Sequence, residues 1–209
     1  MSKKLHNDIY VSVDVETTGH VPGPYSMLSI GAVALVDGKP VSNFYVNIEE
    51  LPKAKRQPST MEFWAKYPER WKDTRVNPAT PEEAMRDFAD WIMDVPGFTN
   101  KNVVFAANPA SYDAGYIWYY FNRFMSEADM EKVFTRFRVL DIRTVIADVF
   151  NCDYSQAGRH LLPANWSNGF SITHNALDDA REQASVLSHL LVARQETFEA
   201  AMSWLDKNA

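Results

Sequence analysis

The run Ile9-Tyr-Val-Ser-Val-Asp-Val-Glu16 alternates without a break and limits the fold more than any other segment. Ile9, Val11, Val13 and Val15 share one face of a strand, while Tyr10, Ser12, Asp14 and Glu16 share the other. The valine face needs a core to cover it. On the opposite face, positions two apart point the same way, so Asp14 and Glu16 project side by side. Carboxylates held that close repel, and the arrangement is costly unless cations sit between them. Ligands made only of oxygen suit magnesium or manganese rather than zinc. A strand end with two solvated acids is the alternative this short motif leaves open.

The remaining punctuation extends the pattern. Thr17-Thr18-Gly19 ends the strand, and Pro22-Gly23-Pro24 carries turn chemistry. Residues 27–36 predict a second strand, Asp37-Gly38 a hairpin turn, and residues 41–48 a third strand. Ser59 or Thr60 is expected to cap a short helix holding Phe63, Trp64 and Tyr67. Thr80-Pro81-Glu82-Glu83 is a helix start with an N-cap, a proline at the first position and acids in the first turn. Its apolar stripe is Ala84, Met85, Phe88, Trp91 and Ile92. Residues 102–107 read as a short buried strand, 108–113 as a loop and 116–124 as a helix packed on a sheet. Val139, Leu140 and Ile142 surround Asp141 ahead of a helix to Phe150, and a long helix covers 175–194. No repeat, low-complexity tract or linker interrupts the order, so residues 1–209 are expected to form one α/β domain.

Composition excludes several classes. Hydrophobic residues at 46% and charged residues at 23% are ordinary for a globular chain, which rules out a disordered tail, a collagen-like repeat and a coiled-coil rod. Cys152 is the single cysteine, so no intrachain disulfide forms and a reducing, cytoplasmic setting is expected. The polar start lacks a signal-peptide core, and no run of about 18 apolar residues occurs, so no membrane partner is expected. Lys and Arg total 21 against 27 Asp and Glu, a net charge of −6, so the basic footprint common in nucleic-acid binders is missing.

Two further positions carry chemistry. Asp113 follows a predicted buried strand at the start of a helix, where an ordinary N-cap is the plain alternative. On the long helix, Ala176, Ala180, Ala184, Leu187 and Leu191 define the buried stripe. At about 100° per residue, Asp178 falls opposite that stripe as a solvated acid, while Asp179 sits on its flank and can face inward. His174 precedes the helix on a loop, where an imidazole can reach a reaction centre; a loop histidine without a role is the alternative. His6, His20, His160 and His189 fall in no such pattern.

The order of these motifs resembles the DEDDh family of 3′-to-5′ exonucleases, which includes polymerase proofreading subunits, ribonuclease T and oligoribonuclease. The matching residues are Asp14-Val-Glu16-Thr-Thr-Gly19, Asn108-Pro-Ala-Ser-Tyr-Asp113 and His174-Asn-Ala-Leu-Asp-Asp179-Ala180. Ser59-Thr-Met-Glu-Phe-Trp64 and Leu140-Asp-Ile-Arg-Thr144 are similar to segments of phage exonuclease A and the mycobacterial exoribonuclease group. The chain departs at Ala107-Asn108-Pro109, where relatives often read His-Asn-Ala.

The resemblance implies a ribonuclease-H-like three-layer fold, a central mixed sheet flanked by helices with the acids at its centre. It implies that Asp14, Glu16, Asp113 and Asp179 bind two divalent metal ions, Mg2+ or Mn2+, and that His174 is the general base. The implied substrate is a single-stranded DNA or RNA 3′ end, DNA slightly favoured, released as nucleoside 5′-monophosphates. Substrate contacts are assigned to Thr17, Thr18, Asn108, Tyr112 and Trp64, with Phe63 as a second stacking ring. Turn formation at Thr17 and Thr18 and core packing at the aromatics, Met27 and Leu28 stay open, as does a phosphate or a structural role for Arg143. The resemblance leaves open a homo-oligomer, and the alternative function is a catalytically silent exonuclease-like binding module.

Overall fold

The computed structural model describes residues 7–167, 169 and 173–208. Strands β1 (Ile9–Thr17), β2 (Met27–Val36) and β3 (Lys39–Asn47) form an antiparallel meander. Two short helices, α1 (Pro58–Trp64) and α2 (Pro68–Asp73), precede α3 (Pro81–Met93). The chain then runs through β4 (Val103–Ala107), α4 (Ala110–Phe124), α5 (Glu127–Val133), β5 (Val139–Asp141) and α6 (Ile142–Val149). It closes with α7 (Ala176–Asn208). Sheet order is β3-β2-β1-β4-β5, with β1 parallel to β4 and β4 parallel to β5.

Both faces of this mixed sheet are covered. The valine face of β1 packs with Met85, Phe88 and Ile92 of α3 and with Ile117, Tyr120 and Phe121 of α4. Behind it, Val33, Leu35 and Ala106 meet Ile142 and Ile146 of α6 and Ala180, Ala184 and Leu187 of α7. The face of β1 that carries the acids is therefore a helix-packed face too, and the Ser12 hydroxyl donates to the Ala180 carbonyl at 3.1 Å.

One glycine decides how close α7 comes. Gly31 pairs with Asp14 in the β1–β2 register, and a Cβ there would overlap the carbonyl of Ala176. Bare backbone at this point lets the first turn of α7 lie directly beside Asp14.

Several expectations are corrected. α1 starts at Pro58 after Gln57, with no side-chain cap from Ser59 or Thr60, because proline at the first position already supplies a helical φ. Tyr67 lies beyond α1 as the N-cap of α2, a helix the sequence pattern did not suggest. α4 begins at Ala110, so Asp113 stands inside its first turn rather than capping it. α7 runs past residue 194 to Asn208, and Leu190 rather than Leu191 completes its fully buried stripe. The capping box at Thr80 and Glu83 forms as expected. No helix among the described residues is long and apolar enough to cross a membrane.

Candidate active site

Oxygens of Asp14, Glu16 and Asp179 lie within 4.8 Å of one another. β1 supplies the first two from one face, and α7 supplies the third from its sheet-facing flank. Asp113 joins them from α4. Pairing of β1 with β4 ends at Ser12 and Ala106, so the Val15 amide meets no strand on that side. The Asp113 Oδ1 accepts that amide at 3.1 Å, which ties the carboxyl to β1 at the residue between Asp14 and Glu16 in sequence. Asp141 locks α4 in place: its Oδ2 accepts the Ala110 amide at 2.9 Å while its Oδ1 caps α6 through the Thr144 amide at 2.8 Å.

Asp179 holds the loop before α7. Its Oδ1 accepts the Thr173 amide at 2.7 Å and its Oδ2 the His174 amide at 3.2 Å. His174 sits at φ +56°, a left-handed conformation a non-glycine residue adopts only when its surroundings impose it. Its ring rests on Phe63 at 4.8 Å and Tyr67 at 4.3 Å between centroids. Arg70 of α2 ties the same loop down, its Nε donating to the Thr173 carbonyl at 3.0 Å.

The electrostatics are hostile to bare carboxylates. Glu16, Asp113 and Asp179 are 9%, 4% and 7% exposed. Burial, then repulsion from Asp179 and Asp113, pushes the Glu16 carboxyl up to about 8. Burial pushes Asp113 up to about 7, against the pull of the Val15 amide. Asp14 is raised well above the usual carboxylate range by burial and by Asp113, Glu16 and Asp179. Asp179 is raised by burial, partly offset by the Thr173 and His174 amides. Oxygen-only donors, buried, converging and mutually repelling, fit hard divalent cations.

The other predicted contacts occupy different places. The Thr17 hydroxyl is bonded to the Gly19 carbonyl at 2.8 Å and to the Tyr112 hydroxyl at 2.6 Å. Thr18 donates to the Lys55 carbonyl at 3.0 Å and accepts the Ser26 amide at 2.8 Å. Tyr112 and Tyr116 both donate to the Gly19 carbonyl, at 3.2 and 2.7 Å. Trp64 is 3% exposed and donates to the Thr17 carbonyl at 3.0 Å, so it is core beneath the turn and not a stacking platform. Buried polar groups take backbone partners first, and a turn this tight claims them all. Asn108 lines a cleft with Arg159, Glu182 and Gln183, the last of which bonds to Asp14. Met27 and Leu28 are wholly buried, and Arg143 binds the Tyr154 and Ser155 carbonyls. His20 bonds to Gln57 and His189 stacks on Trp166, while His6 lies outside the described residues.

One partner escaped the sequence reading. Gln183, one turn beyond Asp179, donates to the Asp14 Oδ1 at 3.0 Å. The four-residue spacing from Asp179 was the available signal.

A family model described as the 3′-5′ exoribonuclease Rv2179c-like domain matches residues 9–191. The 3′-5′ DNA exonuclease Cap18 of Escherichia coli is 33% identical over 189 residues, 88% of this chain and 91% of that protein. The nuclease domain of 3′hExo, a DEDDh family member solved with rAMP, superposes with a TM-score of 0.67 at 13% identity. That match covers 91% of this chain and 94% of the domain. Escherichia coli exonuclease I with a dT13 oligonucleotide gives a TM-score of 0.65 at 12% identity, over 92% of this chain. The chain spans 43% of the length of exonuclease I. At these identities the structural likeness carries the fold, which is ribonuclease-H-like.

Proposed function

Because this chain belongs to the Rv2179c-like family of DEDDh 3′-5′ exonucleases, we propose that Asp14, Glu16, Asp113 and Asp179 hold two divalent ions, Mg2+ or Mn2+. The chain is an enzyme with 3′-5′ exonuclease activity on nucleic acid, which sets aside a silent binding module. The observation that carries the metal assignment is the convergence of Asp14, Glu16 and Asp179 oxygens within 4.8 Å, with Asp113 close enough to repel Asp14 and Glu16. When bound, such ions supply Lewis acidity and offset the carboxylate charge where a phosphodiester must enter.

The chain's own groups do the rest. Asp113 and Gln183 orient the acids of β1 through the Val15 amide and the Asp14 carboxylate. Asp179 keeps the His174 loop against the site through two backbone amides. His174 acts as the general base, taking a proton from the attacking water as it adds to the phosphorus. Its place on a loop bonded to Asp179 supports that role, and the rings of Phe63 and Tyr67 limit how far it can wander. The bond from phosphorus to the 3′ oxygen of the shortened strand breaks, that oxygen takes up a proton from solvent, and a nucleoside 5′-monophosphate is released.

Single-stranded DNA is the favoured substrate, because a DNA exonuclease is 33% identical over most of the chain. RNA is the second reading, favoured by the family's description as exoribonucleases. Digesting single-stranded DNA, duplex DNA and RNA side by side with Mg2+ separates them, with products identified by mass. The expected result is deoxynucleoside 5′-monophosphates released fastest from the single strand. Replacing His174 with Ala should slow release by about 10²- to 10⁴-fold. Faster loss of RNA would transfer the assignment to the second reading, and an unimpaired His174→Ala enzyme would remove histidine as the base.

A further inference from the structure

Resting on the exonuclease reading above, we propose that Arg159 is a phosphate-binding residue of this site, set in position by the buried Glu182. Arg159 opens a short 3-10 turn, Arg159–Leu161, in the connection between α6 and α7. Its Nη2 lies 2.6 Å from the Glu182 Oε2, and the two side chains are 40% and 5% exposed. Among the described residues Glu182 is the hydrogen-bond partner of Arg159, so one edge of the guanidinium is anchored and the rest of its fork is open.

The anchor belongs to the same helix turn as the site. Glu182 and Gln183 follow Asp179 by three and four residues, which puts them beside it on α7. Gln183 bonds to Asp14 through its Nε2, while its Oε1 is buried without a partner among the described residues. Arg159, Glu182, Gln183 and Asn108 line one cleft of ≈ 10 Å³, room for about one water. Gln183 therefore touches the Asp14 carboxylate and also lines the cleft that Arg159 lines.

Stability does not account for this arrangement. A buried ion pair gains little net free energy, because desolvation offsets the attraction. Its effect is to hold a planar, doubly donating cation still, as recognition of a phosphate requires. The acidic cluster otherwise repels phosphate, and Arg159 exerts its pull on Asp14 and Asp179 from this flank. Arg70, the cation on the other flank, is already committed to the Thr173 carbonyl at 3.0 Å and to Asp73 at 3.2 Å.

The test is steady-state kinetics on a labelled single-stranded oligonucleotide over a range of salt, with thermal melting run in parallel. The variants are Arg159→Lys and the double replacement Arg159→Gln with Glu182→Gln, which leaves no unpaired buried carboxylate. The double variant should raise KM by roughly tenfold or more while kcat changes less. Its slope of log(kcat/KM) against log salt should shrink by about 0.7. Arg159→Lys keeps the charge, so it should keep the slope and still raise KM severalfold. A wild-type KM and slope in the double variant, or a wild-type KM in Arg159→Lys with only a lowered melting point, would overturn the proposal. Should the double variant not fold, the KM of Arg159→Lys decides alone. A wild-type enzyme that releases no mononucleotides defeats the exonuclease reading itself, and the arginine's role with it.

Discussion

Replacing Asp14 with Asn is expected to cut turnover by about 10³-fold, or roughly 4 kcal/mol of barrier, yet raise the melting point of the metal-free protein. Both effects come from one carboxyl. Asp14 stands among Glu16, Asp113 and Asp179, and its charged form is disfavoured by burial and by all three neighbours. An asparagine removes that repulsion and still accepts the Gln183 Nε2 hydrogen bond now made at 3.0 Å. It also removes a charged oxygen from a donor set suited to a divalent cation. Turnover on a labelled oligonucleotide and calorimetric melting in a chelator check the two halves separately. Near-normal turnover would deny Asp14 its place at the metal, and a lower melting point would deny the repulsion.

Stripping the metal should make stability fall as pH rises. Glu16 is held at about 8 against an ordinary 4.5, and Asp113 at about 7 against 3.8. Raised values mean that the folded protein binds these protons more tightly than the unfolded chain does. The resulting stabilisation is complete below the ordinary values and is lost as pH climbs through 7 and 8. Every tenfold gain in proton affinity is worth about 1.4 kcal/mol, so losing this stabilisation should lower the melting point of the metal-free protein steadily between about pH 5.5 and about pH 8.5. Divalent ions reverse the sign of the problem, since they bind the ionised carboxylates. Millimolar Mg2+ or Mn2+ should restore the melting point at about pH 8.5 and do little at about pH 5.5, where protons compete. Equal stabilisation by the ions at both pH values would contradict the site.

The strand that carries Asp14 and Glu16 was legible because a two-residue period states both which face is buried and which side chains share it. Helical periodicity likewise separated Asp179, which faces the cluster, from Asp178, which reaches Arg181 at 3.3 Å. What stayed hidden depended on tertiary approach. Gly31 lies in the middle of an apolar strand, and nothing local says that a helix backbone will settle on it. Thr17, Thr18, Tyr112 and Trp64 surround the site in sequence, but their polar groups are used by the turn after β1. α2 lacks a long apolar stripe, so its existence and the tie from Arg70 to the His174 loop were invisible. The last turns of α7 continue where the buried stripe has stopped, carried by helix formers such as Ala200 and Ala201. The acidity of the chain, unpromising for a nuclease, now has a local reason: four of its acids are gathered where metal ions would neutralise them.

Removal of nucleotides from 3′ ends by this carboxylate cluster can be read from one digestion. A linear single strand labelled at its 5′ end and a closed circular strand are incubated with the wild-type protein and Mg2+. The expected result is a ladder that shortens one nucleotide at a time from the 3′ end, nucleoside 5′-monophosphates as product, and an untouched circle. Release of the 5′ label first, or a circle cut as fast as the linear strand, would contradict it.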